Sequence, residues 1–290
     1  MMEQEFYRLQ ALVNDALESC FNQRCDQSEL LEAMRYSLLA GGKRIRPILL
    51  LAFCNSCSGK EEDALSAACG IEMLHTYSLI HDDLPCMDND DLRRGRPTCH
   101  KVYGEANAVL AGDALQSAAF SYVLSSPLPA QCVAEMAKTL ADAAGERGMC
   151  AGQYLDTCKE NSSVEESVLY EIHALKTGAL LRAACVMGVQ CAGGSKEQLE
   201  AAARFAENLG IAFQIRDDVL DVISTTEELG KPVGSDAELG KVTFVQLFGL
   251  ESCEKLVLSH TRKAKEALAG CFEETEFLMW LADTLAYRRK

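Results

Sequence analysis

Proline is scarce in this sequence, with six prolines in a chain of 290 residues. None lies between Pro129 and Pro232, where alanine, leucine and glutamate are abundant. Proline breaks helices, whereas those three residues are well tolerated in them. The sequence also lacks a run of alternating β-branched residues, the pattern typical of a strand buried on one face. These absences predict a chain that is almost entirely helical.

An excess of positive charge is also missing, because 28 basic residues face 43 acidic ones and the net charge is −15. This balance argues against nucleic acid or an anionic membrane as the main partner, since both attract basic surfaces. No uninterrupted apolar run of 18 residues occurs, so we expect no membrane-spanning helix. The first residues, MMEQEFYRLQALVNDAL, are amphipathic and of mixed charge, unlike a secretory leader. Together with scattered cysteines in apolar surroundings, these features predict a cytoplasmic protein with reduced thiols.

Helical periodicity is the main pattern that the sequence does contain. Long helices are predicted over 61–83, 103–125, 164–187 and 196–223. Three capping boxes mark helix starts, formed by Ser163 with Glu166, Ser195 with Gln198 and Thr225 with Glu228. The apolar faces are broad, which indicates burial among several neighbouring helices. Neither a repeat nor a polar linker divides the chain, so we expect residues 1–290 to form one all-α bundle domain.

A first acidic cluster follows the apolar segment IEMLHTYSLI and contains Asp82, Asp83 and Asp88. Asp88 lies six positions after Asp82, which on an ideal helix is one full turn and about 240° more. Pro85 also interrupts the helix between them. We therefore expect a loop or a kink that brings Asp88 back towards Asp82.

A second acidic cluster continues an apolar helix. Gln214, Asp218 and Asp221 fall within a narrow helical stripe, with Asp217 beside it. Carboxylates crowded on one face repel each other unless a cation lies between them. Hard oxygen ligands in this number suit magnesium, with manganese as an alternative. A solvated acidic helix end is the other interpretation of either cluster, and it weakens when two such clusters occur in one acidic bundle.

Basic groups accompany the acidic clusters. In the turn GGKRIRP, the glycines permit close backbone approach, and Lys43 with Arg46 could clasp a phosphate. His75 lies seven residues before Asp82 and so on the same helical face. Further donors, each of which could instead belong to a salt-bridged surface, are Arg93, Arg94, Lys176, Thr177, Lys231 and Lys241. The sequence thus offers two kinds of phosphate site, one that binds through metal and one that binds directly.

The segments GGKRIRP, LIHDDLPCMDNDDLRRGRPT, AGDAL, GQYLD, KTGALL and FQIRDDVLD resemble the ordered motifs of trans-isoprenyl diphosphate synthases. Within that family the closest match is to farnesyl diphosphate synthases of the bacterial type. The resemblance runs from about residue 30 to the end of the sequence. It implies a single-domain all-α bundle of ten or more helices around a deep central cavity (isoprenoid synthase type), and usually a homodimer.

The resemblance also implies roles for individual residues. Asp82, Asp88 and Asp217 would hold the magnesium that grips an allylic diphosphate. Isopentenyl diphosphate would be bound by Lys43, Arg46, His75 and Arg94. The allylic diphosphate would be held by Arg93, Lys176, Thr177, Gln214, Lys231 and Lys241, among which Lys176, Thr177 and Gln214 would also stabilise the carbocation. The final residues, Arg288, Arg289 and Lys290, would close over the homoallylic diphosphate.

The implied activity is a prenyltransferase that condenses isopentenyl diphosphate with dimethylallyl and geranyl diphosphates. Tyr77 precedes Asp82 by five residues, about 7.5 Å along a helix, where a bulky ring would cap the cavity. In the family such a ring goes with the fifteen-carbon product, so we expect farnesyl diphosphate, with geranylgeranyl diphosphate as the alternative. A terpene cyclase is less compatible because it handles one diphosphate and would not need Lys43 and Arg46. A catalytically silent partner subunit should have lost aspartates, and none is missing here.

Overall fold

The computed structural model describes residues 1–22, 28–159, 164–223 and 241–288. Within these ranges the fold is all-α, as predicted. The only strands among the described residues are β1 (Leu92–Arg93) and β2 (Arg96–Pro97), a short antiparallel pair. The helices are α1 (Met2–Glu18), α2 (Ser28–Leu38), α3 (Ile45–Ser56), α4 (Glu61–Asp82), α5 (Cys99–Tyr103), α6 (Glu105–Leu124), α7 (Ala130–Ala144), α8 (Met149–Cys158), α9 (Glu166–His173), α10 (Ala179–Cys191), α11 (Lys196–Ile223), α12 (Phe244–Phe248), α13 (Leu250–Leu268) and α14 (Glu276–Ala286).

Helix α4 lies at the centre of the bundle. Its buried residues, from Ala64 to Ile80, occupy all sides of the helix. It packs mainly against α6 and α3, while α10 packs against α3 and α11. A helix that is apolar all round must be surrounded by other elements. The end of α4 at Asp82 therefore delivers the first acidic cluster from inside the bundle.

Two of the predicted long helices, 61–83 and 196–223, correspond closely to α4 and α11. The predicted helix 103–125 is divided into α5 and α6 at Gly104, whose φ of 82° lies outside the helical region. The predicted helix 164–187 consists of α9, a π-helical segment at Ala174–Gly178 and α10. This π segment interrupts what the sequence predicts as one continuous helix.

The capping boxes were predicted with partial success. The box at Ser195 is confirmed, because its backbone N–H donates to Gln198 Oε1 at 2.8 Å and its Oγ accepts from the Gln198 N–H at 3.3 Å. The boxes at Ser163 and Thr225 lie outside the described residues. A box that the sequence analysis missed opens α12, where Thr243 and Gln246 bond reciprocally.

The stretch Glu166–Cys191 is long and apolar enough to cross a membrane by length and composition alone. However, 67% of its most apolar window is buried inside the fold, which is the behaviour of a core helix. The cysteines that the structure describes are all free thiols. The assignment of 1–290 to a single domain stays a prediction.

An aromatic cluster joins α3, α11 and the segment before α14. The Phe53 ring is fully buried, and it meets the Phe205 and Phe272 rings edge-on at centroid distances of 5.3 and 5.5 Å. Such arrangements are favourable beyond the area they bury. This cluster therefore fixes how the central helices meet.

We expect Phe53→Ala to lower the free energy of unfolding by about 3 to 5 kcal/mol, because it leaves a cavity that the helices cannot fill. Urea denaturation followed by circular dichroism measures this loss. The control is Leu258→Ala, since Leu258 is 47% exposed and its truncation should change stability by about 0.5 kcal/mol or less. Equal effects of the two substitutions would contradict a core role for Phe53.

Candidate active site

A basic cavity of about 430 Å³ lies between the 41–46 turn, α4 and α11. Its walls include Lys43, Arg46, His75 and Arg94, the whole set that the sequence analysis assigned to isopentenyl diphosphate. The Phe213 ring forms part of the apolar wall. The structure thus brings together four groups that are separate in the sequence.

Two glycines shape the turn that carries these cations. Gly41 and Gly42 adopt φ values of 86° and 115°, which side chains other than hydrogen rarely permit. A Cβ on Gly42 would lie 2.6 Å from Arg94 Cζ. Arg94 donates a hydrogen bond to the Gly41 carbonyl oxygen. The glycines are therefore needed so that the Arg94 guanidinium can lie against the turn.

Arg44 has a different role from its two basic neighbours. Its Nη1 donates to Glu72 Oε1 at 2.7 Å, and both side chains are 2% exposed. Its Nη2 also donates to the Leu38 carbonyl at 2.8 Å. This buried pair anchors the turn to α4, and its neighbours Lys43 and Arg46 line the cavity.

The cavity has the electrostatics of an anion site. Arg46 Nε is buried and has no hydrogen-bond partner among the described residues. Burial, aided by the charge of Arg94, lowers the pKa of Arg46 to about 10. Burial and the Arg46 charge lower the pKa of His75 well below its usual value, so His75 is neutral near pH 7. A buried guanidinium N–H without an acceptor is costly, and an anion would satisfy it.

A second cavity of about 230 Å³ adjoins the first. Arg46 and His75 line both cavities, so the two meet at these residues. Asp82, Lys176 and Thr177 form the polar end of the second cavity. Its other walls include Tyr77, Leu79, Met87, Met149 and Cys150. A polar mouth above a largely apolar floor suits a ligand with a charged head and a greasy tail.

Tyr77 lies in the wall of the second cavity, as its spacing from Asp82 predicted. The side chain is 5% exposed, and its hydroxyl lies 3.5 Å from Cys150 Sγ on α8. Its ring packs edge-on against His81. Cys150 also lines this cavity and is itself exposed.

The first acidic cluster folds back as predicted. After α4 ends at Asp82, the Asp88 backbone N–H donates to the Asp82 carbonyl at 2.9 Å. Asp88 accepts from Lys241 Nζ at 3.0 and 3.1 Å. Asp83 is 3% exposed and bound by Arg93, whose Nε lies 2.9 Å from Oδ1. Arg93 is thus paired with the acidic cluster itself in this structure.

The π segment presents Lys176 and Thr177. Lys176 Nζ donates to Asp156 Oδ2 at 2.7 Å, with both side chains mostly buried. A Cβ on Gly152 would lie 2.2 Å from the Lys176 backbone nitrogen, so only glycine lets α8 pack here. Burial alone would lower the pKa of Lys176, but the charges of Asp82 and Asp156 outweigh it and raise that pKa. Lys176 is therefore held protonated.

Asp156 is a site residue that the sequence analysis did not assign. Gly152 and Asp156 belong to the segment GQYLD, and their spacing of four puts them on one face of α8. The GQYLD segment was therefore the feature of the sequence from which a role for Asp156 could have been predicted. Segments of π-helix occur frequently at functional sites. The pairing of the GQYLD segment with the π segment is consistent with that tendency.

The second acidic cluster connects to the π segment through a chain of hydrogen bonds. Thr177 Oγ1 donates to Gln214 Oε1 at 3.2 Å, and Gln214 Nε2 donates to Asp218 Oδ1 at 3.0 Å. The Phe244 N–H donates to Asp218 Oδ2 at 2.8 Å. Asp217 instead remains half-exposed and accepts from Arg288. Lys231 lies outside the described residues.

The carboxylates fit a metal that is only partly bound by protein. Burial raises the pKa of Asp82, although Lys176 opposes the shift, so a cation is the natural partner for this group. Among the described residues no three ligating side chains converge into a closed cage. Magnesium typically binds one or two carboxylates and completes its shell with water and phosphate oxygens. Oxygen donors alone, on two separate motifs, match that behaviour.

Comparisons with known proteins agree with the fold and the motifs. The family model described as "Polyprenyl synthetase" matches residues 27–275. A geranylgeranyl pyrophosphate synthase from Capsicum annuum, described as chloroplastic, is 49% identical over 89% of this chain and 71% of its own length. A heterodimeric geranylgeranyl pyrophosphate synthase large subunit 1, also chloroplastic, from Arabidopsis thaliana is 46% identical over 96% of this chain and 77% of its own.

Solved structures give the same result. An apo FPP/GFPP synthase from Zymomonas mobilis superposes with a TM-score of 0.88 at 34% identity, over 98% of each chain. A geranyltransferase from Helicobacter pylori, complexed with magnesium and isoprenyl diphosphate, has a TM-score of 0.86 at 33% identity, over 97% of this chain and 95% of its own. The all-helical architecture predicted from the sequence is confirmed by these neighbours.

Two predictions need correction or remain unconfirmed. The cytoplasmic location is wrong, because the relatives are chloroplastic proteins. The error came from inferring location from an N-terminus unlike a secretory leader and from scattered cysteines in apolar surroundings. The farnesyl product is not confirmed, since these relatives are geranylgeranyl diphosphate synthases, which favours the alternative. The motifs, the helical bundle and the matched region of residues 27–275 together show that this chain belongs to the polyprenyl synthetase family and is a trans-prenyltransferase.

Proposed function

We propose that this chain condenses isopentenyl diphosphate with allylic diphosphates and releases geranylgeranyl diphosphate. The observation that carries the proposal is the junction of two cavities at Arg46 and His75. One cavity is basic. The other has a polar end around Asp82, here called the acidic mouth, and largely apolar walls. Two diphosphates bound in this way would place their reacting carbons near the junction, inside the bundle.

Each cavity would hold one substrate. Lys43, Arg46 and Arg94 would bind the isopentenyl diphosphate group directly, because they bring three positively charged donors to one cavity. Lys176 and Lys241 would hold the allylic diphosphate at the acidic mouth. A divalent metal on Asp82, Asp88 and Asp217, magnesium or alternatively manganese, would neutralise the leaving diphosphate.

The chain's own groups would then protect the allylic cation. Thr177 Oγ1 and Gln214 lie 3.2 Å apart beside the cavity and offer oxygen dipoles to positive charge. The apolar floor keeps water away from the reactive carbons. Lys176, held by Asp156 at 2.7 Å, would contribute charge at a fixed position and without reorganisation. Neutral His75 would add one N–H donor where the two cavities meet.

Farnesyl diphosphate is the second candidate, and Tyr77 favours it. A buried ring in the cavity wall, tethered to Cys150, shortens the space below the reacting carbons. The geranylgeranyl product is supported by the relatives, which are geranylgeranyl pyrophosphate synthases. It is also supported by the exposed position of Cys150, because a longer tail could extend beside the Tyr77 ring there. The product itself must be measured to choose between them.

We also propose a homodimer. Helix α6 exposes Val109 at 39%, Leu110 at 54% and Leu124 at 58%, an apolar surface that a second copy could cover. A relative from Arabidopsis thaliana is described as a heterodimeric large subunit, so a different small subunit is the alternative occupant.

The first test is a prenyl-transfer assay with isopentenyl and dimethylallyl diphosphates, with and without magnesium, followed by chromatography of the products. We expect magnesium-dependent formation of geranylgeranyl diphosphate. Asp82→Asn should lower kcat about a hundredfold or more, because the leaving group loses its neutralising charge. The control is Asp142→Asn on the exposed face of α7, which should retain activity. A single cyclised hydrocarbon product, or no product from folded enzyme, would contradict the proposal.

The second test addresses product length. We expect Tyr77→Ala to lengthen the main product by at least one isoprene unit, because removal of the ring deepens the cavity. Tyr77→Phe is the matched control, since it keeps the ring and loses only the hydroxyl that contacts Cys150. It should leave product length unchanged. If Tyr77→Ala gives the wild-type product, Tyr77 does not limit chain growth.

A further inference from the structure

Arg288 is buried although it lies two residues beyond the end of α14. It is 9% exposed, whereas the preceding Tyr287 is 64% exposed, so the chain turns inward between them. The Arg288 guanidinium donates to Asp217 Oδ1 and, at 3.1 Å, to the Phe213 carbonyl. It also stacks over the Phe213 ring at 3.8 Å. Arg288 therefore occupies a formed site rather than a solvated surface position.

The backbone of Arg288 is held separately from its side chain. Arg216 Nε and Nη2 donate to the Arg288 carbonyl at 3.0 and 2.8 Å. Arg216 is itself buried, and its Nη1 is bound by Glu254 at 2.8 Å. Adjacent residues of α11 thus grip Arg288 in two ways, Arg216 through the backbone and Asp217 through the side chain. Removal of the guanidinium should leave the backbone anchor in place.

A metal that binds Asp217 Oδ1 would compete with the Arg288 guanidinium for this oxygen. Asp217 Oδ1 accepts from Arg288 Nη2, and a divalent cation bound at this oxygen would face the Arg288 charge at close range. The positive charges repel, so the two partners exclude each other at Asp217. A ligand that binds only the state in which Arg288 has moved shows an apparent affinity reduced by the population of that state.

We propose that Arg288 is a displaceable counter-ion of Asp217, which a divalent cation must release before the second acidic cluster is occupied. Arg288 is then a positioning residue that sets the metal requirement of the site and couples its occupancy to the segment after α14. This inference rests on the proposed function for the identity of the metal–diphosphate ligand. It also revises the role suggested by family resemblance, in which Arg288 would close over the homoallylic diphosphate.

The test measures metal binding without prenyl substrates. Manganese is titrated into the full chain with inorganic pyrophosphate present, and free manganese is followed by electron paramagnetic resonance. We expect Arg288→Gln to bind manganese about fivefold more tightly or better, the lower end of typical coupling between sites. Arg288→Lys keeps the charge and loses the planar fork, so its affinity should lie between the two.

Lys265→Gln is the matched control. Lys265 Nζ lies 2.7 Å from Asp283 Oδ2, in a salt bridge between α13 and α14 that includes no residue of either acidic cluster. The substitution therefore removes one positive charge away from the site. Its manganese affinity should equal that of the wild type. Unchanged or weaker binding by Arg288→Gln would overturn the proposal. So would an equal gain in Lys265→Gln, because that result would reflect net charge alone.

A measurement on the unmodified chain keeps the proposal testable if Arg288→Gln fails to fold. Phenylglyoxal modifies accessible arginines, and mass spectrometry reports the rate at each site. We expect manganese with pyrophosphate to accelerate modification of Arg288 several-fold, and no acceleration would overturn the proposal. A chain that binds manganese in this way but makes no prenyl product would contradict the proposed function while leaving this inference intact.

Discussion

The molecule depends on the neutralisation of carboxylates that helix packing brings into a partly buried space. Crowded carboxylates in a low-dielectric region repel and resist ionisation, so each needs a cation nearby. The chain supplies these cations from distant segments, and each pair ties two elements together. The pairs are Asp156 with Lys176, Asp83 with Arg93, Asp88 with Lys241 and Asp217 with Arg288. These charge pairs around the site are therefore also tertiary contacts.

The two cavities differ in the charged groups that they present to a ligand. Under the proposed function, this difference would assign one substrate to each cavity. In the basic cavity Arg44 takes Glu72, and buried Arg46 Nε lacks a partner among the described residues, so a bare diphosphate can bind. At the acidic mouth a diphosphate would meet carboxylates first. It can bind there only with cations that outweigh them. Under the proposed function, this asymmetry would make one substrate depend on a metal and the other not.

Some of this arrangement could be predicted from sequence, and some could not. The bounds of α4 and α11 were predicted because both are long segments without proline that are rich in alanine, leucine and glutamate. The return of Asp88 followed from Pro85 and helix geometry. The π-helical segment Ala174–Gly178 is too short to produce a recognisable pattern in the sequence. The Asp217–Arg288 contact joins residues 71 apart, which no local pattern reveals. The prediction of a cytoplasmic location was wrong for another reason. Sorting within the cell depends on recognition by other molecules rather than on the packing of this chain.

The tension between Tyr77 and the relatives has a physical resolution. Identity of 49% reports mainly on the shared fold, whereas tail length depends on a few side chains at one cavity floor. Tyr77 lines that cavity, and its hydroxyl contacts Cys150, an exposed residue of α8. A growing tail that displaces the weak contact between hydroxyl and thiol would reach the surface. The ring then acts as a restriction rather than a wall, and a product longer than fifteen carbons is compatible with its presence.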